Sequence, residues 1–209
     1  MAISNNIINP FIGFAGNIGS GKTTLTKIIS LRQKWQPFYE SVSDNPYLTD
    51  FYKDMPRWGF NLQIFFLHKR FVMHQQISKE KKGSVQDRTI YEDVEIFAKN
   101  LYKMGHMTKR DWENYSGLFS TMSSYLKRPD LIIYLKASTK TLLSRIKTRN
   151  RVFEKDINSE YLNILNSAYD RWIEKENRCP VLIIDTDKFN IYKDHNKLME
   201  IENNILKTL

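Results

Sequence analysis

Short apolar runs alternate along the chain with longer segments in which apolar residues recur every three or four positions. The runs of strand length occupy residues 10–15, 36–39, 83–86, 131–135 and 181–184. The segments of helical period occupy residues 21–33, 58–81, 93–102, 109–126, 139–149, 159–176 and 195–207. This alternation predicts an α/β fold in which a five-stranded parallel sheet is flanked by helices on both faces.

No feature of the sequence divides the chain into domains. Its 209 residues contain no internal repeat, low-complexity tract or Gly/Ser/Pro-rich linker, so we expect a single domain over residues 1–209. The longest apolar runs are far shorter than the roughly 18–20 residues of a membrane span, and the first residues lack the pattern of a secretory signal. We therefore expect a cytoplasmic protein that does not associate with a membrane.

The chain is basic, with 32 Lys and Arg residues against 23 Asp and Glu residues and a net charge of +9. Such a balance is typical of many nucleic-acid-binding proteins. The basic residues are dispersed, however, and their densest cluster, residues 145–151, suits a small phosphate ligand as well as a polymer. We expect small-molecule ligands and no nucleic acid, with a nucleic-acid-dependent ATPase as an alternative.

The most specific motif follows the first predicted strand and precedes the first predicted helix. It has the pattern G-x-x-x-x-G-K-T and reads Gly16-Asn17-Ile18-Gly19-Ser20-Gly21-Lys22-Thr23. In this setting backbone N–H groups surround a phosphate, the lysine reaches the β- and γ-phosphates, and the threonine hydroxyl holds Mg²⁺. The motif predicts an ATP-binding P-loop, to which we also assign the next residue, Thr24.

The remainder of the chain narrows the class of P-loop protein. A switch GTPase is not expected, because the only Asn-Lys pair, Asn196-Lys197, lacks the aspartate that reads guanine two positions later. Motor and helicase ATPases need a longer chain. Small kinases remain, and they need a base near the acceptor hydroxyl, a carboxylate for Mg²⁺ and cations around the transferred phosphate.

Candidates for these roles follow predicted strands. Glu40 ends the segment 36–39, and Asp87 and Arg88 follow the segment 83–86. Ligands of open α/β sheets bind at the carboxyl ends of the strands, where these side chains are expected to lie. We predict that Glu40 is the base, that Asp87 acts on the metal with Thr23, and that Arg88 binds the phosphate or the acceptor.

Two further groups suggest how the ligands are held. Arg145, Arg149 and Arg151 lead into a polar segment that contains Glu154, which predicts an Arg-rich lid over a polyphosphate at about residues 147–158, the lid segment. On the predicted helix 58–81, polar and aromatic side chains share one stripe at i, i+3 and i+7: Gln63, Phe66 and Arg70.

That stripe predicts a site for a flat aromatic heterocycle. Phe66 would stack near the ring, while Gln63, Arg70 and Asp93 would read its polar edge, because buried polar groups need partners. The alternative is a salt bridge between Arg70 and Asp93 inside the core, with no ligand.

Taken in order, these residues resemble the deoxynucleoside kinase family, which includes deoxycytidine, deoxyguanosine and deoxyadenosine kinases. The resemblance runs from about residue 11 to about residue 172. Its landmarks, beside the P-loop, are Glu40-Ser41-Val42, Tyr52, Arg57-Trp58, Gln63, the block from Asp87 to Asp93, Arg145-x-x-x-Arg149-x-Arg151-x-x-Glu154 and Glu160-Tyr161-Leu162. It implies a P-loop kinase fold with an Arg-rich lid and a homodimer formed through helices.

The resemblance also implies a role for each matching position near the transferred phosphate. Glu40 would take the proton of the substrate 5′-hydroxyl, and Arg88 would hold that hydroxyl and the phosphate. Arg145 and Arg149 would bind ATP phosphates, and Arg151 would lie near the 5′ end of the substrate. Asp87 and Thr23 would act through Mg²⁺.

For the rest of the substrate, the resemblance implies that Tyr52 and Glu154 bind the 3′-hydroxyl and favour deoxyribose. Gln63 would pair with the base edge and Trp58 would also contact the substrate, whereas Leu62 and Phe66 differ from the residues that the family has at these positions. Arg70 and Asp93 resemble the pair of the deoxycytidine- and deoxypurine-selective branch, so thymidine is a poor candidate.

Two further departures from the family pattern are Ser41 in place of proline and Asp87 in place of the commoner glutamate. The implied reaction is the ATP-dependent phosphorylation of the 5′-hydroxyl of deoxynucleosides, with deoxyadenosine favoured and deoxyguanosine and deoxycytidine as further acceptors. The alternative enzyme is a nucleoside monophosphate kinase of the thymidylate-kinase type.

Overall fold

A computed structural model of the protein, which describes residues 9–40 and 44–209, contains one five-stranded parallel sheet with the strand order β2-β3-β1-β4-β5. The strands are β1 (Phe11–Ala15), β2 (Gln36–Phe38), β3 (Ser84–Asp87), β4 (Leu131–Lys136) and β5 (Val181–Asp185). The predicted sheet is confirmed, and each strand lies within one residue of its predicted bounds. Ser41 and Val42 of the predicted motif lie outside the described residues.

The α-helices of the described residues connect and cover these strands. They are α1 (Lys22–Gln33), α2 (Leu48–Lys53), α3 (Met55–Ile77), α4 (Ile90–Glu92), α5 (Lys99–Lys103), α6 (Lys109–Ser123), α7 (Thr139–Arg149), α8 (Ser159–Lys175) and α9 (His195–Thr208). A π-helix, Asp93–Ala98, joins α4 to α5, and a single 3₁₀ turn, Val152–Glu154, follows α7.

Two helical segments differ from the sequence prediction for local reasons. Helix α3 begins at Met55 instead of residue 58, because the Asp54 side chain caps it by accepting a hydrogen bond from the Arg57 N–H at 3.1 Å. Helix α4 begins at Ile90 instead of residue 93, because the Glu92 side chain accepts a hydrogen bond from the Thr89 N–H at 2.9 Å and so satisfies a donor at the start of the helix. Helix α2 was not predicted, since six residues are too few to show a helical period.

The three central strands of the sheet, β1, β3 and β4, are buried on both faces. Alternate strand residues, including Ile12 and Phe14 of β1, pack against α1 and α9, while Ile132 and Tyr134 of β4 face the opposite cluster, which contains α3 and α8. Among the described residues, no helix has the length and apolar character needed to cross a membrane. The double-sided cover leaves the carboxyl ends of the strands as the edge where polar side chains can gather.

Candidate active site

The P-loop begins directly after β1 and has a backbone that only small residues can adopt. Gly16 has a φ of +148°, and a Cβ there would lie 2.7 Å from Ser20 Oγ and 2.8 Å from the carbonyl oxygen of Leu135. Lys22 Nζ donates to the carbonyl oxygens of Gly16 at 2.7 Å and Asn17 at 3.0 Å. Burial, together with the nearby Arg88 guanidinium, lowers the pKa of Lys22 to about 8.

Glu40 lies beyond the end of β2 and contacts two arginines. Arg70 Nη2 donates to Glu40 Oε1 at 2.6 Å, and Arg88 Nη1 donates to the same oxygen at 3.2 Å. Burial alone would raise the pKa of Glu40, but the Arg88 and Arg70 guanidiniums outweigh it and lower the pKa to about 2. The carboxylate is therefore ionised at neutral pH and available to accept a proton.

Arg88 follows β3 in a left-handed conformation with a φ of +68°. Such a backbone is uncommon for a residue other than glycine and is concentrated at functional sites. Two hydrogen bonds hold it: the Arg88 N–H donates to the carbonyl oxygen of Phe14 at 3.0 Å, and its own carbonyl accepts from Arg70 Nη1 at 2.8 Å. The strained turn directs the guanidinium toward Glu40 and over the ring of Phe97, 4.4 Å from its centroid.

Asp93 lies at the start of the π-helix, against Arg70. Arg70 Nε forms a buried ion pair with Asp93 Oδ2. Burial raises the pKa of Asp93 to about 7, although the Arg70 and Arg88 guanidiniums oppose that rise. The Gln63 Oε1 atom is buried and has no hydrogen-bond partner among the described residues, so the amide can still accept a hydrogen bond.

Thr23 and Asp87 lie at the junction of the P-loop and β3. Thr23 Oγ1 donates to Asp87 Oδ2 at 2.5 Å, while the buried Asp87 Oδ1 has no partner within the described part of the chain. Oxygen ligands of this kind suit Mg²⁺, which takes one or two protein ligands and completes its shell with water and phosphate. The two residues fit the predicted metal site.

The arginines near the end of α7 are already paired. Arg149 Nη2 contacts both oxygens of Glu154, at 2.6 Å and 2.7 Å, and Arg151 Nη1 lies 3.5 Å from Glu154 Oε1. Arg145 Nη1 instead donates to the carbonyl oxygen of Ser20 in the P-loop at 3.3 Å and to Thr186 Oγ1 at 3.1 Å. Arg145 therefore reaches the phosphate loop, and the other two arginines surround a buried carboxylate.

Tyr52, on α2, lies beside that carboxylate. Burial, with Tyr161 and Glu154 nearby, raises the pKa of Tyr52 well above its usual value, so the hydroxyl stays protonated and able to donate. Trp58, on α3, instead packs at 5.9 Å from the ring of Tyr47 and carries the Arg57 guanidinium 4.3 Å above its own ring.

One cavity of about 1370 Å³ contains most of these groups. It is lined by predicted residues from the P-loop, from α2 and α3, from the strand ends and from the lid segment: Ile18, Gly19, Ser20, Gly21, Lys22, Thr23, Thr24, Glu40, Tyr52, Gln63, Phe66, Asp87, Arg88, Asp93, Arg145, Arg149, Arg151 and Glu154. Four predicted site residues are not among the described residues that line it: Gly16, Asn17, Trp58 and Arg70. Arg70 is only 1% exposed and lies behind the wall.

Comparison with known proteins agrees with this geometry. The model of the deoxynucleoside kinase family matches residues 12–209. A deoxyadenosine/deoxycytidine kinase of Bacillus subtilis (strain 168) is 38% identical over 203 residues, which cover 96% of this chain and 94% of that protein. The chain belongs to the deoxynucleoside kinase family. It is therefore a phosphotransferase, and the predicted resemblance is confirmed.

Further relatives agree in fold and class. A deoxyadenosine kinase of Dictyostelium discoideum is 45% identical over 179 residues, covering 85% of this chain and 73% of that protein. The solved structure of a deoxyadenosine kinase from M. mycoides with bound dATP is 30% identical and superposes with a TM-score of 0.83, covering 93% of this chain and all 100% of the other. The P-loop kinase fold is thereby confirmed.

Some residues of the kinase site were missed by sequence reasoning. Glu92 is completely buried and accepts hydrogen bonds from the N–H groups of Gly16 at 3.2 Å and Thr89 at 2.9 Å and from the Tyr169 hydroxyl at 2.8 Å. Its position three residues after Thr89 was a usable signal, since Thr-x-x-Glu is a capping-box pattern.

The other missed residues line the cavity itself. Phe97 lies under the Arg88 guanidinium, Tyr161 also lines the cavity, and residues 186–192 follow β5, where Thr186 accepts a hydrogen bond from the same Arg145 that contacts the P-loop. Tyr161 belongs to the landmark Glu160-Tyr161-Leu162, which carried no assigned role. No motif marks Phe97 or residues 186–192, and only the parallel order of β4 and β5 brings the last segment beside the phosphate loop.

Proposed function

We propose that the protein transfers the γ-phosphoryl group of ATP to the 5′-hydroxyl of deoxynucleosides, with deoxyadenosine favoured and deoxyguanosine and deoxycytidine as further acceptors. The observation that carries the proposal is the single cavity in which the P-loop and the ionised Glu40 face Gln63 and Asp93. The names of the relatives, which are deoxyadenosine, deoxycytidine and deoxyguanosine kinases, support the choice of acceptors.

In the transfer step, the O5′ atom of the acceptor forms a bond to the γ-phosphorus as its proton passes to Glu40. The bond between that phosphorus and the β,γ-bridging oxygen breaks, and the electron pair leaves with ADP. Arg88, 3.2 Å from Glu40 Oε1, holds both the hydroxyl and the transferring phosphate. Catalysis rests mainly on positioning and charge stabilisation, since a carboxylate with a lowered pKa is a weak base.

Mg²⁺ would be held by Asp87 and Thr23, whose oxygens lie 2.5 Å apart. When bound, the ion neutralises charge on the β- and γ-phosphates of ATP. Lys22 and the backbone of the P-loop bind the same phosphates from the other side. The free Asp87 Oδ1 atom supports this assignment, because a buried carboxylate oxygen without a partner is costly.

The sugar and the base would bind at the other end of the cavity. Tyr52 and Glu154 bind the 3′-hydroxyl and leave little room for a 2′-hydroxyl. Gln63 and Asp93 read the polar edge of the base, and Phe66, which lines the cavity, stacks near it. Because a carboxylate accepts hydrogen bonds, Asp93 favours a base with an exocyclic amine, such as adenine or cytosine.

At the donor end, Arg145 and Arg149 would bind ATP phosphates and Arg151 would approach the 5′ end of the acceptor. The lid segment would close over the polyphosphate as Arg149 exchanges the Glu154 carboxylate for phosphate oxygens. The half-exposed side chain of Arg149 supports such an exchange.

We further propose that the kinase is a cytoplasmic homodimer that binds no nucleic acid. Helices α3 and α6, which contact each other, expose the apolar side chains of Val72 and Leu118 and offer a helical surface for a second copy. Sedimentation equilibrium of the wild type and of Leu118→Lys would test this, with a monomeric variant expected.

The activity is tested by measuring ADP formation from Mg²⁺-ATP with single additions of each deoxynucleoside, deoxynucleoside monophosphate, ribonucleoside and single-stranded DNA. Stimulation by deoxyadenosine, with weaker responses to deoxyguanosine and deoxycytidine, is the expected result. Stimulation by dTMP alone would identify a monophosphate kinase instead. Stimulation by DNA alone, with a steep salt dependence, would identify a nucleic-acid-dependent ATPase.

A further inference from the structure

Arg70 connects the two ends of the acceptor site without lining the cavity. Its side chain is 2% exposed and lies behind the wall formed by Glu40 and Asp93, both of which line the cavity. Sequence reasoning placed Arg70 at the base edge. The structure instead places Arg70 between Asp93, which is assigned to the nucleobase, and Glu40, which is assigned to the proton transfer.

Each edge of the Arg70 guanidinium contacts a partner, through hydrogen bonds at Nη1 and Nη2 and through an ion pair at Nε. Nη2 donates to Glu40 Oε1 at 2.6 Å, and Nε pairs with Asp93 Oδ2. Nη1 donates to the carbonyl oxygen of Arg88 at 2.8 Å, in the strained turn after β3. Because the guanidinium is planar and rigid, a displacement at one edge moves the other edges with it.

The contacts of Glu40 show how a movement of Arg70 would affect the reacting atoms. Arg70 Nη2 is closer to Glu40 Oε1 than Arg88 Nη1 is, at 2.6 Å against 3.2 Å, so Arg70 makes the tighter contact with the proton acceptor. A misplacement of about 1 Å at such a centre can reduce a rate by about 100-fold. The position of Asp93 is therefore transmitted to the transfer site through one side chain.

We propose that Arg70 is a positioning residue that couples the nucleobase edge read at Asp93 to the Glu40 carboxylate, so that bases are discriminated in kcat as well as in KM. A base whose exocyclic amine donates to Asp93 fixes that carboxylate, which fixes Nε and thereby Nη2 and Glu40. A nucleobase without the exocyclic amine does not fix Asp93, so Arg70 and Glu40 are held less firmly. This inference rests on the proposed phosphorylation of deoxynucleosides.

The test pairs two acceptors with two forms of the enzyme. Deoxyadenosine is compared with purine 2′-deoxyriboside, which has the same ring system without the 6-amino group, and kcat and KM are measured for the wild type and Arg70→Gln. We expect the wild-type kcat to be about tenfold or more higher for deoxyadenosine, and the ratio of the two kcat values to fall close to one in Arg70→Gln.

A second variant keeps the test decisive if Arg70→Gln does not fold. Arg70→Lys retains the buried positive charge but cannot hold two carboxylates in a fixed fork, so the kcat ratio should also fall, by several-fold, while overall activity exceeds that of Arg70→Gln. Lys69→Gln, a half-buried neighbour on α3, is the matched control and should leave both kcat values unchanged.

The outcomes separate this inference from the proposed function. If a folded Arg70 variant keeps the wild-type kcat ratio, or if the two acceptors differ in KM alone, the coupling is overturned and Arg70 is a structural ion-pair partner. If the wild type phosphorylates neither acceptor but phosphorylates another substrate class, the proposed function itself fails.

Discussion

Arginine–carboxylate pairs occur in two regions of the cavity that differ in burial. At the floor, which consists of Glu40 and Arg88 with Arg70 packed behind them, the side chains of Arg70, Arg88 and Glu40 are 2%, 8% and 14% exposed. In the lid segment, Arg149 is 32% exposed and Arg151 is 38% exposed. Breaking a buried pair leaves an uncompensated charge, whereas a half-exposed arginine can exchange its carboxylate for water or phosphate at low cost. The same chemistry therefore builds a rigid transfer site in one region and exchangeable contacts in the other.

The largest expected effect is at the floor. Glu40→Gln removes the proposed proton acceptor but keeps the size of the side chain, so kcat should fall by about 10²–10⁴-fold while deoxyadenosine still binds. Steady-state kinetics and equilibrium binding would measure the two quantities separately. Glu113→Gln, at a side chain that is 63% exposed on α6, is the control. A near-normal kcat would remove Glu40 from the role of base.

A second substitution tests whether the floor is rigid because its polar groups are satisfied. Glu92→Gln would leave one backbone donor, the Gly16 N–H or the Thr89 N–H, facing the amide nitrogen without an acceptor, and a buried donor left unpaired costs about 1–3 kcal/mol of the free energy of unfolding. Denaturant unfolding would measure the loss. Glu95→Gln, in an exposed ion pair with Lys99, should change the stability by less than about 1 kcal/mol. Equal losses of stability in Glu92→Gln and Glu95→Gln would contradict the expected difference between buried and solvent-accessible polar groups.

The pH dependence of stability provides a third test of the buried region. His74, one turn after Arg70 on α3, is buried, and burial lowers its pKa from 6.5 to about 4, although the hydrogen bond from its ring to the carbonyl oxygen of Lys127 opposes that shift. The unfolded chain therefore binds the proton more readily. The stability of the folded state should fall as the pH decreases from about 6.5 toward 4, by up to about 3 kcal/mol.

Denaturant unfolding of the wild type and His74→Gln between pH 7.5 and pH 4.5 isolates this effect. The stability advantage of the wild type should shrink as the pH falls. His68→Gln, at an exposed position on the same helix, should follow the wild-type curve at every pH. Parallel curves for the wild type and His74→Gln would show that His74 is not buried in its neutral form.

The smallest expected effect is in the lid segment. Arg149→Ala removes a charge-assisted contact with ATP, so kcat/KM for ATP should fall by about 10–100-fold. The free energy of unfolding should change by less than about 1 kcal/mol, because Arg149 is half-exposed and Arg151 remains 3.5 Å from the buried Glu154 carboxylate to balance its charge. Lys147→Ala, on the same turn, is the control. A large loss of stability in Arg149→Ala would show that the Arg149–Glu154 pair stabilises the fold as the buried pairs of Glu40 do, and would contradict the difference between the two regions.

The local elements could be predicted from sequence because their signals are local. The strand before the P-loop, the amphipathic period of α7 and α8, and the Gly-rich loop each depend on neighbouring residues. The start of α3 was missed by three positions, since its Asp54 cap lies outside the apolar period. The π-helix at Asp93–Ala98 has no comparable sequence signal.

The candidate site was predictable only where a motif or an ordered resemblance marked a residue. Thr23, Glu40, Asp87 and Arg88 were found in this way and lie together at one edge of the sheet. Glu92 and the segment 186–192 were missed. Their contacts join residues far apart in the chain, such as Tyr169 and Glu92, which are 77 positions apart.

The sequence by itself determined the fold class, the phosphate loop and the types of side chain available for chemistry, because hydrophobic period, glycine placement and motif spacing are properties of adjacent residues. The tertiary structure alone decided which charges meet. It placed Arg70 behind the cavity between Glu40 and Asp93, and it paired Arg149 with the buried Glu154 carboxylate. Such pairings depend on burial and on distances of a few ångströms between separate elements, and no pattern along a single chain encodes those distances directly.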